Sequence, residues 1–351
     1  MKKVLVAALH WGLGHATRCV PIIECLKENG FEVIIASDGS ALNLLKAAFP
    51  ELKAVELPPY RITYRSENMF LNVARMLPGI LSAVREENKV TRRLVKEYGI
   101  DVIISDNRYG CYSPECTNIF VTHQVNIQTG NALSDLIIRN FNKARIGRFD
   151  QLWIPDVEGD SSLSGILSHH FGKITVPVSY TGILSRFKKC TEYRRQGVLV
   201  ILSGPEPQRT IFEELVMKQS VQLDGQVTVV RGQVSGEITK SIKSNITVYN
   251  YADGILLNEL VCSSAVVVAR SGYSTLMDLA VTGSKALLVP TPGQSEQIYL
   301  AKQLGEQGVF EFQEQKNLDL QTGIARAMDR KKPDISAENR LNELVKLLLK
   351  Q

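Results

Sequence analysis

No stretch of this 351-residue sequence approaches the roughly 18 consecutive apolar residues of a membrane-spanning helix. Low-complexity tracts and disorder-prone composition are missing too; 44% hydrophobic and 22% charged residues describe an ordinary globular chain. The six cysteines (Cys19, Cys25, Cys111, Cys116, Cys190 and Cys262) include no C-x-x-C pair, and no histidine stands at zinc spacing. Reduced, mostly buried thiols in a cytoplasmic protein are the expectation. Charge of one sign is scarce as well. The net charge of +5 lacks the concentrated basic stripe that nucleic-acid binding needs, though it favours anionic ligands or an anionic membrane surface. The apolar run Val4–Leu9 ends at His10, too short for the core of a secretory signal, and reads as a first β-strand.

What is present is alternation. β-branched runs recur at Val4–Leu9, Val33–Ser37, Val102–Ser105 and Ile119–Thr122. A second series follows at Val198–Leu202, Val227–Val230, Ile246–Tyr249, Val266–Ala269 and Ala286–Val289. Amphipathic stretches lie between them, such as Ala16–Asn29, with Val20, Ile23, Leu26 and Lys27 at helical spacing and Gly30 as a stop. This is the pattern of parallel sheets with crossover helices. The length exceeds what one core usually supports, so two doubly wound Rossmann-like α/β domains are expected, with strand ends facing each other across a ligand cleft. The boundaries read as 1–180, a strandless linker 181–196, a second domain 197–335 and a C-terminal helix 336–351 able to pack on either domain.

Two segments carry chemistry. His10-Trp11-Gly12-Leu13-Gly14-His15-Ala16-Thr17-Arg18 joins the first strand to the first helix. Its glycines allow a tight turn, and the amides of the following helix suit an anion. A dinucleotide fingerprint needs a small residue where Arg18 stands, which disfavours a nicotinamide site. His15 places a proton acceptor at this turn. The second segment, Arg270-Ser271-Gly272-Tyr273-Ser274-Thr275-Leu276-Met277-Asp278, follows a strand and opens a helix. Backbone amides and the hydroxyls of Ser274 and Thr275 can meet a diphosphate, and Asp278 can accept from a ribose diol. Glu296 and Gln297, after the next strand, can bind sugar hydroxyls.

The block from Arg270 to Gln297 resembles the donor-binding signature of the two-domain GT-B glycosyltransferases. The likeness points to the family of the peptidoglycan lipid-intermediate N-acetylglucosaminyltransferase (family 28) and to the UDP-glycosyltransferases. In those families a small-residue turn holds the diphosphate, an acid holds the ribose, and an acid-or-amide/Gln pair holds the donor sugar. Gly272, Thr275, Asp278, Glu296 and Gln297 match in turn; Arg270 stands where many members have His. The resemblance also assigns Ser203 and Gly204 to a loop near the phosphates, with Arg209 added on charge, and Tyr251 to the segment near the base. Gly14 falls in the Gly-rich first loop, whose His is the general base in UDP-glycosyltransferases, oriented there by an Asp. His15 and Asp106 match that pair.

The resemblance thus implies a metal-independent, inverting glycosyltransferase with a UDP-sugar as substrate and no cofactor. Its acceptor would be a saccharide, a lipid-linked molecule or a small molecule. A nucleotide-sugar epimerase, a hydrolase of the same fold and a non-catalytic nucleotide-sugar-binding subunit are the competing readings. His123 and Gln124, after Ile119–Thr122, are candidates on the acceptor side. His169 and His170 read as surface residues. Between Tyr60 and Lys96, arginines (Arg61, Arg65, Arg75, Arg85, Arg92 and Arg93) interleave with apolar residues such as Met69, Phe70 and Leu77. This reads as an amphipathic helix pair or as a surface for peripheral contact with the inner face of an anionic membrane.

Overall fold

The computed structural model describes residues 1–60, 69–128, 132–191, 193–232, 240–243, 245–333 and 339–350. The chain divides into two compact units, Met1–Leu184 with Ala337–Gln351, and Ser185–Ser336. Each unit is built on a seven-stranded sheet.

The first sheet contains β1 (Lys3–Ala8), β2 (Glu32–Ser37), β3 (Lys53–Glu56), β4 (Val102–Asp106), β5 (Thr117–Val121), β6 (Gln151–Ile154) and β7 (Val178–Tyr180). Its order is β3-β2-β1-β4-β5-β6-β7, with every pairing parallel. Helices α1 (Gly14–Glu28), α2 (Gly39–Ala48), α3 (Met69–Tyr98) and α4 (Ala132–Ile146) make the crossovers. Val4 to Ala8 are fully buried, as a central strand covered on both faces requires.

The second sheet contains β8 (Val198–Ile201), β9 (Val227–Val230), β10 (Lys240–Lys243), β11 (Ile246–Tyr249), β12 (Val266–Ala269), β13 (Ala286–Leu288) and β14 (Glu311–Phe312). Its order is β10-β11-β9-β8-β12-β13-β14, and only β10 runs antiparallel. Helices α5 (Gln208–Ser220), α6 (Gly254–Ser263), α7 (Tyr273–Thr282), α8 (Ser295–Glu306) and α9 (Leu320–Asp329) accompany it. Val200, Val229, Val266, Val268 and Leu287 form the centre of its core. In both sheets the chain reverses direction of growth once, between β1 and β4 and between β8 and β12. Such a reversal opens a crevice at the carboxyl ends of the two strands, where ligands bind in doubly wound folds.

Four sequence expectations are corrected. The expected linker 181–196 is not a separate piece: it follows β7 directly, and from Ser185 the chain groups with the second unit. Cys190 and Cys262 are joined in a disulfide, which ties that entry segment to α6; the other four cysteines are thiols. Among the described residues, the stretch ending at Lys96 holds one long helix, α3, rather than a pair. Arg85, Arg92 and Arg93 are exposed on it, while Arg61 and Arg65, with the side chains of Met69 to Leu77, lie outside the described residues. His169 is half-buried, stacked 4.9 Å from the Tyr180 ring.

The last helix, α10 (Leu341–Lys350), belongs to the first unit. Leu341, Leu344, Val345 and Leu348 are buried there, worth roughly 2 kcal/mol each. Lys2 Nζ donates to Leu348 O at 2.8 Å and Asn29 Nδ2 to Asn342 Oδ1 at 2.9 Å, fixing the helix beside α1. Among the described residues no helix is long and apolar enough to cross a membrane.

Candidate active site

In the first unit, β1 leads through His10–Leu13 into α1, whose first residue is Gly14. Gly12 takes φ 76°, the conformation that turns the chain sharply. Asp106 ends β4, paired in register with Ala8 of β1, so α1 and Asp106 flank the reversal point. His15 Nδ1 lies 2.7 Å from Asp106 Oδ1. Asp106 is fully buried. Burial alone would raise its pKa, but the Arg18 guanidinium, and then His15, outweigh it and hold the carboxyl at about 2.

Arg18 is the residue the motif reading discounted. One turn past His15 on α1 and 2% exposed, it forks onto both Asp106 oxygens through Nε and Nη2. Its Nη1 lies 2.9 Å from His123 Nδ1. His123 follows β5, the neighbour of β4, and is buried. The His15-x-x-Arg18 spacing, which puts both side chains on one helical face, is the sequence signal that could have found it. The backbone carbonyl of Gln124 accepts from Asn142 Nδ2 at 2.8 Å.

A second polar cluster stands one strand further, at the ends of β1 and β2. His10 Nδ1 is 3.0 Å from Asp38 Oδ2, and its Nε2 is 2.9 Å from Ser40 Oγ. Arg108, fully buried, donates to Asp38 Oδ1 (2.7 Å), Glu87 Oε1 (2.5 Å) and Pro58 O (2.7 Å). Gly39 has φ 53°, and a Cβ there would run into the His10 ring. The sequence reading missed this cluster, because its members come from five separate segments.

In the second unit, Ser203 and Gly204 follow β8, and Ser271 and Gly272 follow β12, again on either side of the reversal. Gly272 is the N-cap of α7 and brings no side chain to its first turn, which holds Ser274 and Thr275. The start of α5 differs: Glu206 accepts from Thr210 N at 3.2 Å, so an acid of the chain already sits there. An anionic ligand is therefore better placed at α7 than at α5. Asp278 is partly buried, and Ser185 Oγ donates to its Oδ1 at 2.5 Å. Desolvation pushes its pKa up to about 6, against the Ser185 hydrogen bond and the nearby Arg186 charge. Glu296 opens α8, and Tyr251 follows β11, both half-buried.

Four sequence candidates have other commitments. Arg209 pairs with Glu206 (Nε–Oε1, 2.7 Å) and Glu213 (3.3 Å). Arg270 is 1% exposed and donates to the carbonyls of Val289, Pro290 and Gln208 and to Gln315 Oε1, so its side chain braces the β12 and β13 ends. Ser271 Oγ donates to Gln297 O at 2.8 Å. The Gln297 amide accepts from Thr291 N (2.9 Å) and donates to Gln294 Oε1 (2.7 Å), which closes the turn before α8. Each of these side chains makes internal hydrogen bonds that brace the local backbone. Among the described residues, no cluster of three or more His, Cys, Asp or Glu is arranged to hold a metal ion.

Comparison with known proteins agrees with this architecture. Residues 198–348 match the glycosyltransferase family 28 C-terminal domain. Over 328 residues the chain is 23% identical to the UDP-N-acetylglucosamine--N-acetylmuramyl-(pentapeptide) pyrophosphoryl-undecaprenol N-acetylglucosamine transferase of a Sulfurihydrogenibium species, covering 91% of this chain and 86% of that protein. The crystal structure of Acinetobacter baumannii MurG superposes with a TM-score of 0.61 at 13% identity, across 100% of both chains. SsfS6 of Streptomyces sp. SF2575, complexed with thymidine diphosphate, gives 0.63 at 12% identity, again across 100% of both. The chain is a glycosyltransferase of the GT-B fold, related to family 28 through the C-terminal domain that its second half carries.

Proposed function

We propose that the protein transfers a sugar from a UDP-sugar to an acceptor hydroxyl, with inversion at the anomeric carbon and without a metal ion. The second unit holds the donor and the first deprotonates the acceptor. The observation that carries this reading is the 2.7 Å contact between His15 Nδ1 and an Asp106 held ionised at the β4 end. That carboxylate keeps a proton on Nδ1 and leaves Nε2 to accept one. The acceptor O–H gives its proton to Nε2, and its oxygen attacks the anomeric carbon. The bond to the β-phosphate oxygen breaks, and UDP leaves with the electron pair. Asp106 stabilises the imidazolium that results.

Charge on the departing diphosphate is met by the first turn of α7 and the hydroxyls of Ser274 and Thr275, with Ser203 and Gly204 beside them. Asp278 receives the ribose hydroxyls and Glu296 a hydroxyl of the donor sugar. Tyr251 lies near the base. A nucleoside diphosphate is the ligand in the SsfS6 complex, and the Sulfurihydrogenibium enzyme is named for a UDP-sugar donor and an undecaprenol-linked acceptor. Those names support a UDP-sugar donor and make a lipid-linked saccharide the first acceptor to try.

The experiment is incubation of the full chain with a panel of UDP-sugars, with and without lipid-linked and soluble saccharide acceptors. Release of UDP only in the presence of an acceptor is the expected result. Equal release without one indicates hydrolysis, and no release with any pair indicates a binding subunit; either outcome overturns transfer.

A further inference from the structure

Arg18 takes no part in the transfer step itself, yet its guanidinium is among the most constrained groups of the first unit. Asp106 alone suffices to neutralise it, through the two-pronged contact described above. The remaining geometry reaches further: Nη1 lies 2.9 Å from His123 Nδ1, and Nη2 lies 2.8 Å from His15 Nδ1. One buried cation thus touches a carboxylate from β4 and two imidazoles, one from α1 and one from the segment after β5.

We propose that Arg18 is a positioning residue that fixes the protonation pattern of both imidazoles, a proposal that rests on the reading of His15 as the base. A guanidinium donates and never accepts. His123 Nδ1 therefore carries no proton, and the neutral ring bears its hydrogen on Nε2. The opposite holds at His15. An unprotonated Nδ1 at 2.7 Å from Asp106 Oδ1 would set two lone pairs against each other. A proton on Nδ1 removes that repulsion; it gives up the contact from Arg18 Nη2 to Nδ1, but Nη2 still donates to Oδ1. The two rings then have opposite character at Nε2, a proton acceptor on His15 and a donor on His123.

The test is ring-15N NMR of the full chain, comparing wild type with Arg18→Met, Arg18→Lys and the double variant Arg18→Met/Asp106→Asn. His15→Gln and His123→Gln identify the signals. Wild type should show His15 protonated at Nδ1 and His123 at Nε2. In Arg18→Met, His123 should populate both tautomers. Arg18→Lys should release His123 as well, and so should the double variant. Reversed tautomers in wild type, or an unchanged His123 tautomer in the Arg18 variants, would overturn the proposal. If Arg18→Met does not fold, the other two variants decide by the same criteria. None of these readouts needs turnover. If the rings respond as stated while His15→Ala leaves transfer intact, the base assignment fails and the role of Arg18 stands.

Discussion

Asp106, at the end of β4 in the first unit, and Asp278, within α7 of the second, have surroundings that drive them in opposite directions. Asp106 is met by a two-pronged guanidinium and an imidazole, which overcome its burial and hold it at about 2. Asp278 has lost water and gained one hydroxyl from Ser185, with Arg186 nearby, and desolvation lifts it to about 6. A carboxylate whose partners are all internal is a finished device that can orient a neighbour. One that is desolvated and under-satisfied has acceptor capacity left for a ligand. On the proposed function, the comparison separates a group that would prepare the chemistry from one that would receive the substrate.

Breaking the finished side should cost most. Arg18→Met leaves a buried carboxylate with its main partner gone and should destabilise the first unit by about 3–5 kcal/mol. Urea unfolding followed by tryptophan fluorescence reports it, because both tryptophans, Trp11 and Trp153, lie in that unit. A loss under 1 kcal/mol would mean that Asp106 does not depend on Arg18.

Next comes catalysis. His15→Ala should lower transfer about a hundredfold or more, close to 3 kcal/mol, with donor affinity nearly intact. Asp106→Asn should cost less, and the two losses should not add. Full additivity in steady-state assays would separate the pair into independent groups.

On the unfinished side, Asp278→Asn should weaken UDP binding by about 1–3 kcal/mol in calorimetry, through loss of charge-assisted hydrogen bonds to the diol. It should also stabilise the unliganded second unit at pH 7, because it removes a carboxylate held at a raised pKa. UDP affinity unchanged by the substitution would place the ribose elsewhere.

The pH dependence sharpens the contrast through its sign. Asp106 has a folded pKa below its unfolded value, so its contribution, about 2 kcal/mol, is present above pH ~4 and lost as pH falls toward 2. Asp278 has a folded pKa above its unfolded value. The folded state then holds the extra proton, and stability declines as pH rises from about 4 to about 6. Amide hydrogen exchange read separately in the two units should show these opposite slopes. The smallest effect is expected at Gln297→Ala, about 1 kcal/mol of local stability, with similar losses for UDP and UDP-sugar, because that amide closes a turn.

The sequence by itself determined the class of fold and where its chemistry could stand. Runs such as Val4–Leu9 and Val266–Ala269 are apolar on both faces, so burial between two helical layers is their stable fate wherever the rest of the chain goes. His15, Asp106 and Gly272 were legible because each sits directly after such a run. Only the tertiary structure decided the rest. Strands such as Lys53–Glu56 and Glu311–Phe312 are short and partly polar, and they exist because a neighbouring strand offers an edge to pair with. The Cys190–Cys262 bond joins residues 72 apart, and the burial of α10 against the first unit joins the two ends of the sequence. Arg18 shows the limit most clearly. As a letter in a turn it reads as an obstacle to a dinucleotide. It becomes the hub of the site only when the sheet order sets β4 beside β1 and β5 beside β4, bringing Asp106 and His123 within reach from 88 and 105 residues away. A buried guanidinium is stable only with such partners, and no local rule can supply them.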